Sequence, residues 1–136
     1  MVDHARSLIV RRVLRLFSTA KINTPVGLLS AERLAKAVEA LQSAPESEFR
    51  LLDLARLCNS SVYHFSRSFT ARVGCAPFAF QRKLRMQKAR DLLATTEWSV
   101  EQIAAAVGIG SSNSFARTFR RDSGHSPSEY RRLQTR

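Results

Sequence analysis

Apolar residues recur at helical spacing in short runs along this chain, and the runs are written twice. Leu51, Leu54, Ala55 and Cys58 fall on one face of a helix, and Val100, Ile103, Ala104 and Val107 repeat that face farther on. A turn signal follows each run, Asn59 in the first copy and Gly108 in the second. Both residue types accept positive φ at low cost. A serine comes next, Ser61 or Ser111, placed to cap a new helix through its side-chain oxygen. The new runs carry Phe65 and Phe69, then Phe115 and Phe119, and this i, i+4 spacing puts both rings on one inward face. Ser61, Phe65, Arg67, Phe69, Gly74, Pro77 and Phe80 recur 50 residues later as Ser111, Phe115, Arg117, Phe119, Gly124, Pro127 and Tyr130. Upstream of the turn the offset is 49, so the second copy holds one extra residue between Gly108 and Ser111. Little chain separates the runs, which leaves room only for a sharp turn. Each copy is therefore predicted to be a helix-turn-helix, with small alanines at 55 and 104 allowing close approach of its helices.

The flanking pattern is also helical. Ser30 caps a helix expected to reach about residue 43, with Leu34, Ala37, Val38 and Leu41 on one face and Pro45 beyond its end. Pro77 is well placed as the first residue of a longer helix running to about 94. That helix is apolar on two sides, Phe80 and Leu84 on one and Met86, Ala89 and Leu93 on the other, as suits an element shared by two subdomains. Ser99 caps the next helix, with Trp98 closing over its start, and Ser126, Pro127 and Glu129 form a capping-box signature for the last one. There Tyr130 and Leu133 are expected to face inward, with Arg131, Arg132 and Arg136 as a basic tail. Residues 4–17 form a basic amphipathic pattern and 18–29 read as a linker. The predicted architecture is all-α. It has about seven helices plus an N-terminal one: a segment 1–30, then subdomains at about 31–76 and 95–136 joined by a linking helix at 77–94.

Charge narrows the function. The 136 residues are 44% hydrophobic, enough for a core, yet carry a net charge of +11. Such an excess points to a polyanionic partner, most simply nucleic acid. Two cysteines make no disulfide framework, and both are expected as thiols in a cytosolic protein. His4, His64 and His125 do not combine with them at metal-ligand spacing, no phosphate-binding glycine loop is present, and no nucleophile, acid and base converge in the sequence. No cofactor, metal or catalysis is expected. No apolar run has the length of a membrane span, and the first residues lack a signal-peptide core.

Arg67 and Arg117 lie two residues past the first phenylalanine of each pair, roughly 200° round the helix, and so point away from the core. In that position a second helix enters a DNA major groove. Val62, Tyr63, Ser66 and Arg67 share the outward N-terminal half of the first such helix, and Ser112, Asn113, Ala116 and Arg117 that of the second. An arginine can bond O6 and N7 of guanine together, and an asparagine N6 and N7 of adenine. Ser61, Ser111, Arg120 and Arg121 are candidates for phosphate, aided by the unsatisfied amides at the helix starts. Arg82, Lys83, Arg85, Lys88 and Arg90 crowd the central helix without an acid among them; a solvated face or phosphate contact are the two readings, with Arg82, Lys83 and Arg85 taken for the second.

Further pieces make the pattern specific. They are Asp53-Leu-Ala, Ser61-x-x-His-Phe65-Ser-Arg67-x-Phe69, Gly74-x-x-Pro77-x-x-Phe80, Ala89-x-x-Leu92-Leu93, Ile103-Ala-x-x-Val107-Gly108-Ile109, Phe115-x-Arg117-x-Phe119-Arg120 and Gly124-x-Ser126-Pro127-x-x-Tyr130-Arg131. In this order the chain resembles the DNA-binding domain of the AraC/XylS family of bacterial transcription regulators over about a hundred residues. It departs at Asn59, where the family usually has glycine, and at Ser60, where it usually has an apolar residue. The resemblance implies base contacts at Tyr63, Ser66, Arg67, Ser112, Asn113, Ala116 and Arg117. It implies double-stranded DNA read in successive major grooves about 34 Å apart, activation through RNA polymerase, and a cytoplasmic, nucleoid-associated protein. A small-molecule effector is implied only where a separate sensor domain exists. Residues 1–30 are similar to the junction that ends such a sensor, on which reading this chain lacks the sensor itself; residues 4–17 are then a packing or self-association helix. The competing readings are a non-specific architectural or RNA-binding basic protein, an enzyme, and a membrane-active helix at 4–17. Two groove-competent helices with different exposed residues argue against the first, because an electrostatic binder needs no such pair.

Overall fold

The computed structural model describes residues 27–135. Among them are seven α-helices and no strand. They are α1 Ala31–Ser43, α2 Leu51–Leu57, α3 Val62–Val73, α4 Pro77–Thr95, α5 Val100–Ala106, α6 Ser112–Ser123 and α7 Pro127–Gln134. The predicted helix at 4–17 and most of the predicted linker lie outside the described residues. Backbone proximity divides the chain into two units. Among the described residues, one holds those up to Ala44 together with Phe49–Gln81; the other holds Pro45–Glu48 together with those from Arg82 onward. The division falls inside α4, whose residues therefore enter two cores, and the short segment after α1 belongs with the second unit.

In the first unit α1 packs on α2 and α3. Leu34, Ala37, Val38 and Leu41 of α1 meet a core that includes Leu54, Ala55, Cys58, Phe65 and Phe69, all essentially without solvent exposure. Ser30 caps α1 by accepting from the Arg33 amide, and Ser61 caps α3 by accepting from the His64 amide. Leu29, at the end of the predicted linker, is buried rather than loose: its amide donates to Ser68 Oγ at 3.0 Å and its carbonyl accepts from Arg72 Nε.

The second unit repeats this plan. Met86, Ala89 and Leu93 of α4, Ile103 and Ala104 of α5, Val107, and Phe115 and Phe119 of α6 form one buried cluster. Ser99 caps α5, and a capping box of Ser126 with Glu129 starts α7, as the sequence predicts; Gln102 adds a second capping box at Ser99. The internal repeat extends to ring geometry. Phe69 meets Phe80 edge-on at 5.8 Å between centroids, and Phe119 meets Tyr130 edge-on at 5.4 Å. Gly74 and Gly124 end α3 and α6 in the left-handed conformation.

Two expectations at the C-terminal end are corrected. Leu133 is 45% exposed rather than inward, because α7 spans barely two turns and only its Pro127 and Tyr130 side reaches the core. Arg131 is not part of a loose tail. Its guanidinium donates to the carbonyls of Leu93, Thr96 and Trp98 at 3.3, 3.3 and 2.6 Å, which satisfies backbone acceptors left open at the end of α4.

Candidate nucleic-acid interface

The two helices that follow the turns, α3 and α6, each bury a phenylalanine pair completely and expose the opposite side. Phe65 and Phe69 stand 5.7 Å apart between centroids, as do Phe115 and Phe119, and all four are 0% exposed. Rotation of either helix about its axis would bring these rings into water, at about 1.5–3 kcal/mol for each ring exposed. The outward face is thereby fixed. On α3 it carries exposed Tyr63, at 76%, and exposed Arg67. On α6 it carries exposed Asn113 and Arg117. Val62, Ser112 and Ala116 are half-buried at the edges of these faces. Ser66 is half-buried too, and its hydroxyl oxygen is turned inward without a hydrogen-bond partner among the described residues. A hydroxyl so placed would need a different rotamer to meet a base.

Each face is electrically simple. Arg67 and Arg117 make no hydrogen bond or ion pair with the described residues, so their forks point to solvent. α3 contains no acid at all. The one acid of α6, Asp122, accepts from Arg90 Nη2 at 2.9 Å and is neutralised there. Ser61 and Ser111 are exposed, each with its oxygen committed to the helix start, accepting from His64 N at 3.2 Å and Ser114 N at 3.3 Å. Arg120 and Arg121 are exposed and likewise without partners among the described residues.

The basic run of α4 divides into two classes. Arg82 and Lys83 are exposed and make no such bonds. Lys88 reaches Glu46 at 3.3 Å, and Arg90 is paired with Asp122 as above. Arg85 stands apart from the expected phosphate set. Its Nε donates to the Pro45 carbonyl at 2.7 Å and its Nη2 to the Ser47 carbonyl at 3.2 Å. Burial holds its pKa below the ordinary arginine range, opposed by the charges of Glu48 and Glu46. The absence of local acids, which made this run look uniformly available, says nothing of acids and carbonyls brought in from residues 45–48 and 122.

Sequence reasoning did not single out Arg33. Its Nε and Nη2 donate to the Cys58 carbonyl at 3.1 and 2.8 Å, and Nη2 also reaches the Asn59 carbonyl. It thus grips the turn between α2 and α3. Asn59 is the one non-glycine residue with positive φ among those described, at 52°. Gly108 has φ 82°, and a Cβ there would collide with the Glu46 backbone.

No three His, Cys, Asp or Glu side chains among the described residues are grouped to hold a metal ion, and no described helix is long and apolar enough to cross a membrane. Two short helix pairs, each presenting a basic, partner-free helix face above a buried phenylalanine pair, define a tandem helix-turn-helix domain. A helix-turn-helix domain family matches residues 54–133. The chain belongs to the AraC/XylS family of transcription regulators, of which this is the DNA-binding domain. It is 33% identical over 101 residues to the regulator MtrA of Neisseria gonorrhoeae, covering 74% of this chain and 34% of that protein. It is 30% identical over 132 residues to the regulator AlkR of Acinetobacter baylyi, covering 95% of this chain and 43% of that one. The chain thus spans well under half the length of these relatives. Among solved structures, the DNA-binding domain of AdpA, a global transcriptional factor in complex with a target DNA, superposes with a TM-score of 0.70 at 31% identity, covering 74% of this chain and 91% of that one.

Proposed function

We propose that this domain binds duplex DNA sequence-specifically, with α3 and α6 entering successive major grooves, and that it activates transcription through contact with RNA polymerase. One observation carries the reading: each of these helices turns a partner-free arginine and a second exposed, hydrogen-bonding side chain to solvent from a face fixed by its buried rings. Arg67 and Tyr63 read from α3; Arg117 and Asn113 read from α6, with Ser112, Ala116 and, after a rotamer change, Ser66 beside them. A guanidinium bonding O6 and N7 of one guanine supplies about 1–3 kcal/mol of discrimination. Arg82, Lys83, Arg120 and Arg121, with Ser61 and Ser111 at the helix starts, take phosphates and fix the register. The protein works where DNA is, in the cytoplasm and at the nucleoid. A small-molecule effector enters only through a separate sensor domain.

The test is selection of sites from random duplex DNA by the purified 136-residue chain, followed by binding of Arg67→Ala and Arg117→Ala to the selected duplexes. The expected result is two short sequence blocks about one helical turn apart, with each alanine relaxing one block. Selection without a motif, and a uniform weakening by both variants, would favour the non-specific architectural reading instead.

A further inference from the structure

The arginine on α1 and the arginine on α4 occupy the same place in the internal repeat. Arg33-Leu34-x-x-Ala37-x-x-x-Leu41 has the spacing of Arg85-Met86-x-x-Ala89-x-x-x-Leu93, an alignment that neither the 49- nor the 50-residue offset reveals. Leu34, Ala37 and Leu41 are buried in the first core, and Met86, Ala89 and Leu93 in the second. The two arginines therefore leave their helices on the same side of equivalent cores.

What they hold is also equivalent. In the first unit the Arg33 fork bonds the Cys58 and Asn59 carbonyls, at the turn from which α3 departs. In the second unit the Arg85 fork bonds the Pro45 and Ser47 carbonyls, and the Glu46 backbone between them lies directly against Gly108, at the turn from which α6 departs. One arginine grips its turn; the other grips a backbone segment pressed on its turn. Both turns are closed by the same internal bond, Ser60 N to Ala55 O at 3.0 Å and Ile109 N to Ala104 O at 2.9 Å. The helices before the turns, α2 and α5, have seven residues each, too few to hold their own ends rigidly. We propose that Arg33 and Arg85 are equivalent positioning residues, each setting the turn that aims one recognition helix. This rests on the reading of α3 and α6 as recognition helices. It gives Arg85 a backbone-clamping role in place of a phosphate contact.

Lysine at either position keeps the charge and most of the stem but loses the planar fork, so Arg33→Lys and Arg85→Lys are the variants of choice. The first arm needs no DNA. Amide hydrogen exchange in the free chain should speed up at Ser60 and Phe65 in Arg33→Lys while Ile109 and Phe115 stay as in wild type; Arg85→Lys should do the reverse. No change at either turn, or equal change at both, overturns the clamp. The second arm uses the duplexes that the wild-type chain selects from a random pool. Arg33→Lys should lower discrimination about threefold in the block that Arg67→Ala relaxes, and Arg85→Lys about threefold in the Arg117 block, less than what a whole guanine contact supplies. Discrimination intact in both blocks overturns the aiming role. Arg85→Gln, which removes the charge, should leave the salt dependence of binding unchanged; a slope lower by about 0.9 is the mark of a lost phosphate contact and overturns the assignment. If the wild type selects no motif, the recognition reading and the aiming role fall together, and the exchange arm alone decides whether the clamps exist.

Discussion

The Cys58 thiol is 1% exposed behind the first turn, and burial pushes its pKa above the ordinary value; the Ala37 backbone and the Arg33 and Lys36 charges oppose that shift without cancelling it. The folded state thus disfavours the thiolate. The stability this contributes is fully present below the pKa of an unfolded thiol, about 8.5, and is lost as pH rises through the higher folded value. Stability to urea should therefore decline above roughly pH 8.5, and Cys58→Ala should flatten that decline while lowering the plateau. Denaturant midpoints measured at several alkaline pH values check both. Cys75 is only half-buried and should react with a thiol reagent in the native chain well before Cys58 does. At this same scale the sequence was partly deceptive. Ser66 lies in the outward half of α3 by helical phase, yet its hydroxyl is buried. Phase gives the direction of a Cβ, whereas the rotamer and the neighbours decide where the oxygen ends.

At the scale of the element, the two turns differ by one residue and solve the same problem in different ways. Asn59 holds φ 52° with its carbonyl gripped by Arg33, while Gly108 holds φ 82° beneath the Glu46 backbone. A non-glycine residue in the left-handed region costs about 1–3 kcal/mol, and at Gly108 the collision adds to that. Gly108→Ala should lower stability by at least this amount and weaken recognition by α6, whereas Asn59→Gly should stay within about 1 kcal/mol of wild type. Urea unfolding of the two variants distinguishes the cases. The departure of Asn59 from the family pattern was legible in the sequence. Its acceptance of positive φ was legible too; the guanidinium that grips its carbonyl was not, because it comes from a residue 26 positions away in the chain. Helix starts were the opposite case. Ser30, Ser61, Ser99, Ser111 and Ser126 cap where the sequence places them, since a cap needs only partners within three residues.

For the whole molecule, the 22 lysines and arginines overstate the number of cations available to a polyanion. Arg33, Arg72, Arg85 and Arg131 bond backbone carbonyls, and Lys88 and Arg90 pair with acids. Arg67, Arg82, Lys83, Arg117, Arg120 and Arg121 make no such bonds among the described residues. Among the cations of α3, α4 and α6, phosphate contact should fall to Arg82, Lys83, Arg120 and Arg121, with Arg67 and Arg117 left for bases. Arg82→Ala, Lys83→Ala, Arg120→Ala and Arg121→Ala should each weaken binding to all duplexes alike and lower the slope of log K against log salt by about 0.9 per lost contact. Arg90→Ala should leave the slope near wild type. A salt titration on one selected and one scrambled duplex measures both.

The sequence by itself determined the helices, their caps, the doubled helix-turn-helix and the faces that α3 and α6 turn outward. Those features depend on spacing of a few residues, and the family motifs reinforce them over most of the chain. Only the tertiary structure decided which arginines remain at the surface, which close a turn, and why the second turn demands glycine. Those outcomes rest on partners 25 or more residues apart in the chain, brought together by cores whose packing no local pattern records.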